Sequence, residues 1–171
     1  MEASSPPIEL QLEIERLIAH EAYLLDERRF HEWLELFTDD ATYAVSVRDV
    51  VQHREDAALY RYAEAPVFEE GRDFTTVRVK RLETRLAHAE QPPSLTRHLI
   101  TNVLLHDGES ADALRVSASF QVYQHRPGLS EQVYYGKRED VLRRVDGRWR
   151  IGRRLVVLDT SLLPGTISIF F

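Results

Sequence analysis

Apolar residues recur at helical spacing in the first part of the chain and at alternate positions further on, and this change of period predicts its layout. Leu10, Ile14, Leu17, Ile18, Leu24 and Leu25 form a stripe near helical spacing, while Glu13, Glu15, Arg16 and Glu21 mark a wetter face. Ser5-Pro6-Pro7 stands before the stripe as a start signal, a serine cap with a proline near the first helical position, so a long helix is predicted to follow. Asp26-Glu27-Arg28-Arg29 interrupts the stripe. Phe30, Trp33, Leu34 and Phe37 then sit at i, i+3, i+4 and i+7, which predicts a second, shorter helix running to a turn at Thr38-Asp39-Asp40.

From Ala41 the period is two: Tyr43, Val45 and Val47 alternate with Thr42, Ala44 and Ser46, as in a strand buried on one side. The signal is weak between Gln52 and Arg72. Val79, Leu82 and Leu86, with Arg78, Lys80, Arg81 and Arg85 around them, predict a third helix near 73–87, and Pro92-Pro93 ends that region. Turn residues at Asp107-Gly108, Pro127-Gly128, Asp146-Gly147 and Pro164-Gly165 divide the rest into four long strands and a short tail. In one strand Leu114, Val116, Ala118, Phe120 and Val122 oppose Arg115, Ser117, Ser119 and Gln121, so it has one core face, and the sheet is expected to be antiparallel. Helices first and hairpin-linked strands afterwards predict an α+β domain over 1–171, with the N-terminal helices packed on one face of a curved, mainly antiparallel sheet.

Composition narrows the chemistry. At 171 residues the chain should form one domain that buries roughly 70% of its unfolded surface. Its net charge of −6 argues against a nucleic-acid or anionic-membrane partner. It has no cysteine, which excludes disulfides, thiolate zinc sites, a cysteine nucleophile and an iron–sulfur cluster held by this chain alone. Met1 to Pro7 carry no basic segment or apolar run, and no stretch approaches ~18 apolar residues, so a soluble cytoplasmic protein is expected.

Seven histidines raise the question of a metal, and their spacing answers against one. His98 and His106 share a strand face by parity, but eight residues at ~3.3 Å each set them about 26 Å apart, beyond a shared ion. A sharper pair is Asp26, ending the first helix, and His98, inside the strand after Pro92-Pro93. Facing one cavity, they could act as base and acid in a dehydration or isomerisation. Each also has a structural reading, Asp26 as a helix end or cap and His98 as a core imidazole bonded to backbone. Arg148, Arg150, Arg153 and Arg154 with Lys137, Arg138, Arg143 and Arg144 make the last strands basic. Alternation favours a solvated face or a subunit interface over an anionic substrate site, with Arg153 and Arg154 as interface candidates. Trp149 is expected in the core. Ile167-Ser168-Ile169-Phe170-Phe171 is too apolar for a loose terminus, so Ile167, Ile169, Phe170 and Phe171 are expected to dock on this subunit or on another.

Several segments together carry a family resemblance over nearly the whole chain. They are Leu25 to Phe30 running through Trp33-Leu34, Asp39-Asp40-Ala41-Thr42-Tyr43, and Ala89-Glu90-Gln91-Pro92-Pro93-Ser94 leading into Arg97-His98-Leu99-Ile100-Thr101-Asn102. Tyr134-Tyr135-Gly136-Lys137-Arg138-Glu139-Asp140 and the apolar ending complete them. With these the chain resembles the small, or β, subunits of bacterial aromatic-ring-hydroxylating dioxygenases of the biphenyl and benzene branch. The resemblance implies a cone-shaped, nuclear-transport-factor-like half-barrel of the scytalone dehydratase type. It also implies a non-catalytic partner of a large α subunit that holds a Rieske cluster and a mononuclear iron, while this chain binds no cofactor. The expected assembly is three α and three β subunits, a homotrimer when alone, with ferredoxin and reductase delivering electrons from a nicotinamide nucleotide. The alternatives are a stand-alone dehydratase or isomerase using Asp26 and His98, or a small-ligand-binding cone; the dehydratase's second histidine and paired tyrosines have no clear match here.

Overall fold

The computed structural model describes residues 6–50, 60–62, 66–84, 90–163 and 167–171. Helix α1, Ile8–Asp26, buries Ile14, Ile18, Leu24 and Leu25. Pro7 is its N-cap, without a side-chain hydrogen bond; the predicted Ser5 cap lies outside the described residues. The helix ends because Arg28 turns into the left-handed region at φ 56°. Arg28 N then donates to Leu25 O at 3.1 Å and Arg29 N to Leu24 O at 2.8 Å, which satisfies carbonyls the helix leaves open. Helix α2, Phe30–Leu34, is shorter than the predicted segment. Phe37 already begins strand β1, Phe37–Val50, and Thr38-Asp39-Asp40 form an irregularity within it, not a turn before it. Strands β2, Tyr60–Tyr62, and β3, Phe68–Gly71, both pair antiparallel with β1.

Helix α3, Arg72–Glu83, agrees with the third predicted helix as far as the described residues go; 85–89 lie outside them. The four long strands follow as β4 (Leu95–Asp107), β5 (Ala113–Arg126), β6 (Ser130–Val145) and β7 (Arg148–Leu158). Asp146 and Gly147, at φ 50° and 75°, turn the last hairpin, and Gly128 at φ 74° turns the one before it. The predicted Pro164-Gly165 turn lies outside the described residues. The sheet order is β2-β1-β7-β6-β5-β4, antiparallel throughout except where β1 runs parallel to β7.

The inner face of this sheet is the core. Leu114, Val116, Ala118, Phe120 and Val122 of β5 are buried as their alternation predicts, and Trp149 is buried as well. A bulge in β4 changes the face of its second half: Asn102 takes φ 52°, so His98 pairs across from buried Val122 while His106 pairs across from exposed Arg115. His98 and His106 therefore lie on opposite faces, and the shared face inferred from parity is corrected. Glu21, placed on the wet side of α1 by its charge, is only 1% exposed. Arg154, an interface candidate, is 0% exposed within this chain, and Arg138 is buried beside it. The basic character of β6 and β7 is thus divided between an inner and an outer face.

Candidate functional site

The register of the inner face brings two opposite charges side by side. Asp140 of β6 pairs with Arg154 of β7, which in turn pairs with Tyr43 of β1. Arg154 donates from Nε and Nη2 to the two Asp140 oxygens, at 2.8 Å each. It reaches Glu21 of α1 through Nη1 and, at 2.9 Å, through Nη2, and the Phe171 main-chain oxygen through Nη1 at 3.0 Å. Each of its N–H groups so has an acceptor, the condition for keeping a guanidinium out of water. Arg138 Nη2 lies 2.9 Å from the same Glu21 carboxylate, and Trp33 Nε1 donates to it at 3.0 Å. Burial pushes the Glu21 pKa up, but Arg138, Arg154 and the indole N–H outweigh it and hold the carboxyl at about 2. Burial pulls the Arg154 pKa down, and Asp140 and Glu21 more than reverse this, raising it well above its ordinary value.

The expected pair meets at the other side of the interior. Asp26 ends α1 facing β4, where His98 and Thr96 point back at it. His98 Nδ1 lies 2.6 Å from Asp26 Oδ1, the His98 backbone N–H donates to Oδ2 at 3.1 Å, and Thr96 Oγ1 donates to Oδ1 at 3.2 Å. The other ring nitrogen, Nε2, is 3.0 Å from the carbonyl oxygen of Phe170. A carbonyl can only accept, so Nε2–H donates to it. Neither ring nitrogen is left for a substrate.

Phe170 and Phe171 occupy the space between helices and sheet. The Phe170 ring lies 4.5 Å from Trp33, 5.9 Å from Phe30 and 6.3 Å from Tyr43, with the Arg78 guanidinium 4.6 Å over it. Phe171 stacks obliquely on Phe120 at 5.5 Å and edge-on to Tyr134 at 5.2 Å. Phe171 N donates to Tyr43 Oη at 2.9 Å, and Ser168 Oγ donates to buried Glu90 at 2.6 Å. Gly136 makes room for this packing, since a Cβ there would stand 2.8 Å from the Phe120 ring and 2.2 Å from the Val157 carbonyl oxygen. The tail thus docks on its own subunit: Ile169, Phe170 and Phe171 are core, Ile167 is half-buried, and Arg153 alone of the two candidate arginines stays exposed. Among the described residues no group of three His, Asp or Glu side chains converges to hold a metal ion, and no helix is long and apolar enough to cross a membrane.

A sequence profile described as the ring hydroxylating beta subunit matches residues 20–165. The chain is 34% identical over 166 residues to the biphenyl 2,3-dioxygenase subunit beta of Rhodococcus jostii strain RHA1, covering 95% of this chain and 89% of that one. The chain belongs to the ring-hydroxylating dioxygenase beta-subunit family. It is likewise 34% identical over 166 residues to the 3-phenylpropionate/cinnamic acid dioxygenase subunit beta of Photorhabdus laumondii subsp. laumondii, covering 95% and 92% of the two chains. A chain of naphthalene 1,2-dioxygenase, solved with indole in the active site of that enzyme, superposes with a TM-score of 0.82 at 23% identity over 98% of this chain and 89% of its own, which is a likeness of fold. The architecture is the nuclear-transport-factor-like α+β cone shared with scytalone dehydratase-like proteins. As a beta subunit the chain is a component of an oxidoreductase whose catalysis takes place in the alpha subunit. The dehydratase alternative is less supported, and the geometry gives the reason: a cone filled by its own tail has no open face on Asp26 or His98.

Proposed function

We propose that this chain is the non-catalytic structural small subunit of an oxygenase that adds both atoms of dioxygen to an aromatic hydrocarbon or acid in aromatic catabolism. In this reading the large subunit holds the Rieske cluster and the mononuclear iron. Three large and three small subunits assemble, ferredoxin and reductase supply electrons to the complex, and the whole works in the cytoplasm. Residues 1–171 act as one domain, a homotrimer when alone, and Asp26 and His98 serve the fold. Arg153, exposed, and Ile167, half-buried, remain candidates for contact with another chain.

The observation that carries the reading is the occupied cone. Phe170 and Phe171 fill the space between helices and sheet, and the Phe170 carbonyl oxygen takes the His98 ring nitrogen that an acid–base role would need free. Purification of the native complex tests it. A large chain bearing a Rieske Cys/His motif should come with this one in equal amount. Recovery of this chain alone, with a dehydratase or isomerase activity of its own, would overturn it.

A further inference from the structure

The two ends of the sheet are unlike. One is β2, three residues long, and the other is β4, thirteen residues long, whose far side pairs with no strand among the described residues. A long free edge presents a row of main-chain N–H and C=O groups that can receive a strand from another chain. The sequence of β4 favours such an addition. From His98 to Leu105 it reads His-Leu-Ile-Thr-Asn-Val-Leu-Leu, with no acidic residue, lysine, arginine, proline or glycine. Uncharged segments of this kind, rich in branched and apolar residues, add strands readily. Charges stand only outside the stretch, at Arg97 and Asp107. Apart from the bulge at Asn102, β4 carries none of the usual protection of an edge along it.

The protection comes from α1. In an antiparallel pair alternate residues turn their main-chain groups toward the partner strand and the others away. His98 turns its N–H away from β5, since Asp26 accepts it at 3.1 and 3.2 Å, and Thr96 and Ile100 share its direction. Near the other end of the helix, Gln11 Nε2 donates to the main-chain oxygen of Val103 at 3.1 Å and directs its second N–H to Glu15 Oε1 at 2.6 Å. One side chain of α1 thus covers a donor of the edge and another covers an acceptor, on either side of the bulge. We infer that Asp26 and Gln11 keep β4 closed to strand addition, and that what they exclude is an extended, uncharged segment of another chain such as a second β4. A strand arriving at this edge must take the His98 N–H and the Val103 carbonyl, and both are already bonded to the helix that packs along β4. Asp26 so has two duties, one toward the ring of His98 and one toward the strand edge that carries it. Neither the large subunit nor a metal takes part in this contact.

The test is fluorescence anisotropy with a fluorescein-labelled peptide of the sequence of residues 95–107, titrated with the full chain, circular dichroism reporting folding. The unaltered chain should bind the peptide weakly, and Gln11→Leu/Asp26→Ala at least about tenfold more tightly. The same peptide with Leu99→Pro and Ile100→Pro should bind neither chain, because adjacent residues face opposite ways and one proline falls on the paired side in any register. Leu142→Ala, at a buried residue of β6, destabilises the fold through a cavity while leaving Asp26 and Gln11 in place. It should bind the peptide no better than the unaltered chain. Should the double variant fail to fold, Gln11→Leu alone replaces it, at a half-buried position of the helix, with a gain of at least about threefold. A folded variant without its gain, an equal gain in Leu142→Ala, or equal binding of the proline peptide would each overturn the assignment.

Discussion

Glu21 shows how one side chain can hold several elements. Its carboxylate touches Trp33 of α2, Arg138 of β6 and Arg154 of β7, so removing its charge leaves two buried guanidiniums to share the Asp140 carboxylate, with one positive charge in excess. Glu21→Gln should destabilise the chain by about 3–5 kcal/mol at pH 7, measured by urea denaturation, since breaking a buried pair leaves charge uncompensated. The pH dependence follows from the depressed carboxyl. Its pKa is about 2 in the folded chain against an ordinary 4.5, so its contribution is complete above 4.5 and lost as pH falls toward 2. At 1.36 kcal/mol per unit that loss is about 3 kcal/mol, and Glu21→Gln should show a correspondingly shallower decline between pH 4.5 and 2.

At the scale of elements, the bulge in β4 and the tail decide what faces the interior. Asn102 at φ 52° allows Ile100 and, beyond it, Val103 and Leu105 to pack on the same core. Asn102→Gly should change thermal stability little. Asn102→Val should lower it by about 1–2 kcal/mol, because a β-branched residue pays for the left-handed conformation. Deleting 167–171 removes the contents of the cone and should abolish cooperative unfolding, while Phe171→Ala alone should lose about 3–5 kcal/mol through the cavity it leaves. The periods of the chain were enough for α1, α3 as far as it is described, the four long strands and the core face of β5, since burial there follows spacing, but not for the end of α2, where Phe37 keeps helical spacing and yet begins β1. They could not register the bulge, because one left-handed residue inverts every later position without altering composition. Glu21, Arg138 and Asp140 were legible in hindsight: Glu21 continues the Ile14, Ile18, Leu25 stripe, and Arg138 and Asp140 fall on the parity of Tyr134 and Leu142. Charge argues for solvent at Glu21, Arg138 and Arg154 where spacing argues for the core, and the burial of each depends on partners distant in sequence.

For the whole molecule, a cone fold hosts enzymes and accessory subunits alike, so fold alone does not assign a function. What distinguishes this chain is the content of its cone, in which His98, Arg154 and Tyr43 are used on the chain's own terminal residues. Metal analysis of the isolated chain should find no stoichiometric iron, and iron held by side chains of a single subunit would contradict the assignment of catalysis to the alpha subunit. The central claim is that Asp26 and His98 hold the fold and leave the chemistry to the partner. Turnover per large subunit in the reconstituted complex, compared at equal occupancy for the unaltered chain, Asp26→Asn and His98→Gln, tests this most directly. The account predicts an unchanged chemical step, with a stability deficit of about 1–3 kcal/mol from the stranded partner; full assembly with turnover abolished by either substitution would contradict it.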